Sequence, residues 1–245
     1  MRKAKTIIGA LGVLAVAFIL GGQTAFAQST LFNIPSTDVA ARGKVYVEFD
    51  YLSHLADHTN GGFTTLAGRT VIGVGRNVEV GVNVPVTDVG SLRPVEIQPN
   101  LKWQFVNEEK SGIAASAGGL LYVPVNDKSA LTATGVKDTF GLLYTVVSKK
   151  IKAKYGPRFT VGGYGLAGRQ NGNGSEGGAI VGYEQPLHEK VSFVTDWFSG
   201  KNRFGYVTPG LAFSLPKNSA IYAGYSIGNQ GRKNNALYIY FGITF

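Results

Sequence analysis

The 245-residue sequence contains no cysteine, one methionine and three histidines, and only 16% of its residues are charged. Without cysteine there is no disulfide framework, no thiolate metal site and no cysteine nucleophile. The charged fraction of 16% falls well short of the roughly 25% usual for soluble domains. Helical patterning is missing too: nowhere do apolar residues recur at three- and four-residue spacing over ten or more positions. What the chain has in excess is glycine, tyrosine and phenylalanine, at 34, 12 and 14 residues. Glycine is thus about 14% of the chain, roughly twice its usual share, yet it follows no three-residue period, which excludes a collagen helix. An apolar content of 44% excludes disorder.

The one long apolar run is at the start. Arg2, Lys3 and Lys5 precede the stretch Thr6 to Gly22, and Ala25-Phe26-Ala27 followed by Gln28 forms a small-x-small cleavage pattern. These features predict a signal peptide over 1–27, removed after Ala27. A retained anchor is the alternative, since a run of about 17 residues lies near the lower limit for a membrane span; the cleavage pattern favours removal. The formal charge of +9 then falls to about +6, because three basic residues leave with the signal. The remaining lysines are scattered among predicted turns, with one run at Lys149, Lys150, Lys152 and Lys154. They form no stripe with interleaved base readers, so nucleic acid is not an expected partner.

The mature chain alternates instead. Val45, Val47, Phe49 and Tyr51 fall on one face, and Lys44, Tyr46, Glu48 and Asp50 on the other. Val78, Val80, Val82, Val84 and Val86 repeat the pattern, as do Leu237, Ile239, Phe241, Ile243 and Phe245. A period of two over such lengths means strands with two chemically different faces. Twelve segments are predicted, near 43–53, 63–75, 78–86, 94–106, 111–123, 136–148, 156–168, 177–186, 189–198, 203–214, 219–228 and 235–245.

Their connections alternate between short turns (Arg76-Asn77, Asn107 to Lys110, Lys149 to Tyr155, Leu187 to Glu189, Pro216 to Asn218) and longer polar loops, of which Pro124 to Gly135 is the longest. Short links on one side and long loops on the other are the pattern of a transmembrane barrel. Lipid offers the backbone no partner, so a sheet in a membrane must close on itself. The expected fold is all-β, a closed antiparallel transmembrane barrel of twelve strands with periplasmic termini; ten or fourteen strands would follow from miscounted segments, and a soluble sandwich would share the alternation. The predicted organisation is a short periplasmic N-terminal segment over 28–42 and a barrel over 43–245. The predicted lumen-lining residues are Glu48, Asp50, Arg69, Glu96, Lys102, Arg158, Glu184 and Asp196.

The signal peptide, the alternating strands and the final LYIYFGITF ending on Phe245 resemble Gram-negative outer-membrane β-barrel proteins of the porin-like kind, with no single family picked out. That resemblance implies an outer-membrane location in contact with lipids and lipopolysaccharide. It also implies that Ile239, Phe241, Ile243 and Phe245 form the recognition signal for the barrel-assembly machinery. The leading functional expectation is a passive channel for small hydrophilic solutes, with no cofactor. The alternatives are a non-conducting structural, adhesion or binding barrel, and an outer-rim hydrolase or lipid-modifying enzyme.

Candidate chemistry is sparse. His54, Asp57 and His58 form the densest ionisable cluster, at the first external loop. Two imidazoles and a carboxylate suit a divalent metal, or a base with its orienting group. No nucleophile accompanies them, and a solvated polar loop is the plainer expectation, so neither a metal site nor an enzyme is the leading reading. The loop Arg169 to Gly178 is glycine-rich but lacks the lysine of a phosphate-binding loop. Inward Asp196 beside external Lys201 and Arg203 suits a channel mouth, and simple barrel-rim packing around a tight turn is the plainer expectation. Opposite charges inside a narrow barrel also pair with one another, so these residues fit a filled lumen as well as a conducting one.

Overall fold

The computed structural model describes residues 30–126, 139–168, 174–229 and 234–245. The predicted signal peptide, most of the Pro124 to Gly135 loop and the start of the Arg169 loop lie outside them. Among the described residues twelve strands occur: β1 (Val45–His54), β2 (Phe63–Gly75), β3 (Val78–Asp88), β4 (Glu96–Val106), β5 (Ala114–Pro124), β6 (Phe140–Lys150), β7 (Arg158–Ala167), β8 (Gly177–His188), β9 (Val191–Phe198), β10 (Tyr206–Leu215), β11 (Ser219–Gly228) and β12 (Ala236–Thr244). Each pairs antiparallel with its neighbours in sequence, and β12 returns to β1 through a register that sets Phe49 against Phe241 and Asp50 against Tyr240. The sheet is therefore a closed twelve-stranded barrel, as the alternation predicts, and a sandwich is excluded. One α-helical turn, α1 (Glu108–Ser111), caps the β4–β5 connection.

The tightest turns explain their sequences. Arg76 and Asn77 both have positive φ, at 52° and 58°, and Lys217 and Asn218 repeat this at 59° and 54°. Two successive left-handed residues match the twist of a hairpin, and asparagine tolerates that conformation better than most residues.

The period-two pattern becomes two surfaces. Outward positions carry Phe49, Leu66, Val82, Leu101, Leu143, Val161, Leu211 and Ile239, all exposed. Charged residues on that surface occur only at strand ends, as Asp88 on β3 and Lys149 on β6. Inward positions hold the buried charged groups Glu48, Glu79, Glu96, Lys102 and Asp196 together with Tyr46, Tyr122, Tyr144, Tyr222, Tyr238 and Tyr240.

The chief departure from expectation is the segment before β1. Of the predicted short periplasmic N-terminal segment over 28–42, the described residues from Thr30 to Ala40 run within the barrel. Leu31, Phe32 and Ile34 are 0–1% exposed, and each apolar side chain so buried contributes about 1.5–3 kcal/mol. The chain reverses between Thr30 and Pro35, where Leu31 N–H donates to Ile34 C=O at 2.9 Å. Phe32 projects from that reversal into a tyrosine cluster, edge-on to Tyr222 and Tyr240 with centroids 6.0 Å away in each case. The barrel wall is bare where the segment presses on it. A Cβ at Gly210 or Gly224 would lie 2.4 or 2.8 Å from the Phe32 ring, and one at Gly182 would lie 2.7 Å from Ile34. Inward glycines thus make the notch that the apolar residues occupy.

Truncation of the wedge tests this packing. Phe32→Ala should weaken docking of the segment by about 3–5 kcal/mol. In hydrogen exchange, the Leu31 and Ile34 amides should lose protection while the β11 and β12 ladders keep theirs. Equal loss in both would mean that the wedge supports the barrel wall itself.

Candidate functional site

The lumen has a polar wall and an aromatic one. Along β4 every inward position is polar: Glu96, Gln98, Asn100, Lys102 and Gln104 succeed one another from rim to rim. Asn83 and Glu79 extend this surface onto β3. The carboxamides are linked, Asn100 Nδ2 donating to Asn83 Oδ1 at 3.2 Å and Gln98 Nε2 to Glu96 Oε2 at 2.9 Å.

Register creates two of the ion pairs. Glu48 lies directly across the β1–β2 ladder from Arg69, with 2.9 Å between Oε1 and Nη1. Glu79 lies across the β3–β4 ladder from Lys102, with 3.0 Å between Oε1 and Nζ. Asp50 is close to the first pair, 4.0 Å from Arg69 Nη2. Such cross-strand neighbours sit within reach without bending the backbone.

Of the remaining predicted lining residues, Asp196 and Arg158 hold the N-terminal segment. Asp196 accepts from the backbone N–H groups of Asn33 and Ile34, the latter at 2.9 Å, and from Asn33 Nδ2 at 3.1 Å. The carboxylate thereby caps the chain reversal, supplying partners to buried amides that would otherwise have none. Arg158 lies opposite Glu184 in the β7–β8 register, yet its guanidinium engages Asp38 instead, with Nη2 2.8 Å from Oδ1. Thr37 C=O accepts from Gln104 Nε2 at 3.0 Å and from Ser116 Oγ at 2.5 Å. Ala40 N–H donates to Glu79 Oε2 at 2.7 Å. Asn33, Asp38 and Glu79 were not among the predicted site residues. Glu79 carried a signal, since it faces away from the valine stripe of its strand.

At the opposite end of the barrel the β9–β10 connection turns inward. Sequence alternation predicts a strand from 203; β10 begins at Tyr206, because residues 199–205 fold over the lumen. Arg203 does not join Asp196 at a mouth. It crosses to β4, half-way round the ring, and binds Glu96 through two parallel bonds of 2.8 Å. Its guanidinium lies over Tyr122 at 5.2 Å and Phe140 at 5.7 Å, an arrangement that adds cation–π attraction to the ion pair. Burial on its own lowers the Arg203 pKa, but the adjoining Glu96 carboxylate and its hydrogen bonds outweigh this and leave it above the ordinary arginine value. Asn202 Nδ2 donates to Tyr164 Oη at 2.7 Å and Asn229 Nδ2 to Phe198 C=O at 2.7 Å, fixing the loop over the opening. Between this latch and the N-terminal segment a cavity of about 110 Å³ remains.

The His54 cluster does not converge. His54 Nδ1 lies 2.5 Å from Asn235 C=O, whereas His58 Nδ1 lies 3.0 Å from Gly62 C=O and its Nε2 is 4.0 Å from Asp88. Among the described residues no group of three histidine or acidic side chains is placed to hold a metal ion. Ile239, Phe241 and Ile243 line the outer face of β12, set against Tyr51, Phe49 and Val47 of β1, and Phe245 ends the chain at 64% exposure.

These features define a class: a closed antiparallel β-barrel with its buried charges and tyrosines within and an apolar outer face. Neither a protein-family model nor a curated protein matches the chain. Solved structures similar to it include an outer membrane channel from Pseudomonas putida F1, at 11% identity over 84% of this chain and 97% of that one, with a TM-score of 0.49. Another is a mutant of the Rh. blastica porin, at 10% identity over 82% of this chain and 99% of that one, with a TM-score of 0.31.

Removing the latch cation leaves the buried Glu96 carboxylate without its ion-pair partner, with Gln98 Nε2 still donating to it. Arg203→Ala should destabilise the barrel by about 2–3 kcal/mol, below the 3–5 of a fully enclosed pair because Arg203 retains some water contact. Glu96→Gln in the same chain should recover part of that loss. A denaturant double-mutant cycle measures the coupling, and additive losses would show that the two groups act independently.

Proposed function

We propose that this protein is an outer-membrane barrel that acts as a gated channel for small hydrophilic solutes. The observation that carries this reading is the row Glu96, Gln98, Asn100, Lys102 and Gln104, polar from one rim to the other on the inner face of β4. In the closed barrel these groups are bonded to one another, to Asn83, to Glu79, to Arg203 or to the N-terminal segment, so their burial is compensated, and withdrawal of the two inward elements would turn them toward an open lumen. A polar track spanning the barrel gives a solute a succession of hydrogen-bonding partners.

Residence in a membrane is supported by the exposed belt that includes Phe49, Leu66, Leu143 and Val161, at 55–62% exposure. Soluble monomers rarely leave contiguous apolar patches larger than a few hundred Å² in water. The proposed route is export by the 1–27 signal peptide and recognition of Ile239, Phe241, Ile243 and Phe245 by the barrel-assembly machinery. Outer-membrane lipids and lipopolysaccharide then surround the barrel, and both termini face the periplasm. In the resting state the N-terminal segment and the Arg203–Glu96 latch block the track. A second reading, a barrel that never conducts, is favoured by the complete burial of Leu31, Phe32 and Ile34.

Two measurements bear on these readings. Leu211→Arg, at the middle of β10 on the outer face, should cost about 2–4 kcal/mol in reversible folding into lipid vesicles; an unchanged midpoint would remove the lipid-facing assignment of that surface. In planar bilayers the wild type should show small, infrequent openings. Phe32→Ala combined with Arg203→Ala should raise unit conductance several-fold. A folded but silent double variant would favour the non-conducting barrel.

A further inference from the structure

The cavity between the two closures is built from unlike halves. Asn83 of β3 and Gln98 and Asn100 of β4 form one side. Tyr122 of β5, Tyr144 of β6, Phe198 of β9 and Phe204 of the latch loop form the other. Its volume of about 110 Å³ has room for on the order of eight waters, hence for a molecule of about a dozen non-hydrogen atoms.

The charged groups around it are already engaged: Arg69 with Glu48, Lys102 with Glu79, and Arg203 with Glu96. An ionic ligand would have to break one of these pairs and leave a partner uncompensated in a poorly solvated place, a loss of several kcal/mol by itself. The carboxamides, by contrast, have capacity in hand. Asn83 Nδ2 makes a long 3.5 Å bond to Gln98 Oε1, and Gln98 Nε2 uses one N–H on Glu96. A second N–H on each therefore remains, together with the Asn100 carbonyl oxygen. A carboxamide presents a donor and an acceptor side by side, which is the complement of a hydroxyl group that both donates and accepts. The aromatic rings beside them complement the C–H surface of a saturated ring rather than a second set of hydroxyls.

We infer that the cavity is a binding site for a neutral monosaccharide, with its hydroxyl edge on Asn83, Gln98 and Asn100 and its C–H face against Tyr144. This rests on the reading of the lumen as a solute path, since the sugar must enter past one of the closures. The Thr30–Pro35 reversal and Phe204 both border the cavity, so an occupant touches the two elements that close the barrel.

The test uses the folded full-length barrel in detergent micelles, with methyl α-D-glucopyranoside as the probe, read by saturation-transfer NMR and equilibrium dialysis. The glucoside should bind saturably, and at least tenfold more tightly than the glucuronate anion or phenol. Gln98→Leu with Asn100→Leu should weaken binding at least tenfold. Phe204→Ala, a change in the loop rather than the wall, should weaken it several-fold even if the double leucine variant does not fold. Absence of saturable binding in both the wild type and the Phe32→Ala, Arg203→Ala barrel would overturn the assignment. So would equal or tighter binding of glucuronate or phenol, or unchanged binding in the altered barrels. A conducting double variant that ignores the glucoside would remove the sugar site and keep the channel; a silent one that still binds it would remove the channel and keep the site.

Discussion

Closure of β12 onto β1 is the constraint from which the rest follows. Once the ladder runs round without an edge, every strand has a face that sees only the interior and a face that never does. Side-chain period two then becomes a partition of chemistry. Glu48 and Arg69 meet inside because the β1–β2 register places them opposite one another on that face. Phe49 and Phe241 meet outside because the β1–β12 register does the same one residue later. A one-residue slip in any pairing would exchange the two sets and bury nothing properly.

Closure at twelve strands also leaves an interior too wide for wall side chains alone to fill. The chain supplies the missing volume itself, by turning the residues before β1 back through the lumen. The wall cooperates through subtraction: Gly182, Gly210 and Gly224 omit side chains where Ile34 and Phe32 lie. Tyrosines on β11 and β12 then surround the Phe32 ring, with Tyr222 and Tyr240 stacked at 4.4 Å. The abundance of glycine and tyrosine is thus in part a record of the segment's shape impressed on the wall. Tyr240 shows how closely the two are matched, since its hydroxyl donates to Leu31 C=O at 3.0 Å.

What the sequence made legible is what period two can carry: the strands, their number, the turn and loop alternation, and which charged residues share the inner face. Gly177 to Gly228 illustrates this, since its strands differ from expectation by at most three residues at either end. The N-terminal segment was not legible because Leu31-Phe32-Asn33-Ile34 has no period, only an apolar content that suits several settings. Its partners lie far away in sequence; Asn33 and Asp196 are 163 residues apart. Partner choice among charges was hidden for a related reason. Register alone would give Arg158 to Glu184, but Asp38 of the segment competes for the guanidinium and holds it through two nitrogens. Arg203 was misplaced because the predicted strand starts three residues before β10 does, and only the fold shows the loop bending across the ring.

The two closures differ in what they respond to. The N-terminal segment is held by apolar burial, by hydrogen bonds from backbone amides that end on Asp196, and by the Arg158–Asp38 ion pair. Salt weakens only the last of these, and release of the segment must still expose Leu31, Phe32 and Ile34 together. The Arg203–Glu96 latch is a single bidentate ion pair whose arginine keeps 23% of its side-chain surface in solvent. A pair with that access is screened by ions and exchangeable with water more readily than one sealed in the wall. The barrel therefore has a shallow closure at the loop end, open to modulation by the medium. The other closure is deep: it enters at the turn end through residues 37–40 and runs up the lumen to the reversal held by Asp196 and Thr208, so it yields only to a force or ligand acting on the whole segment. Under the channel reading proposed above, a solute entering from the loop side would meet the weaker closure first and reach the cavity before the stronger, the order a lumen needs if occupancy is to precede release.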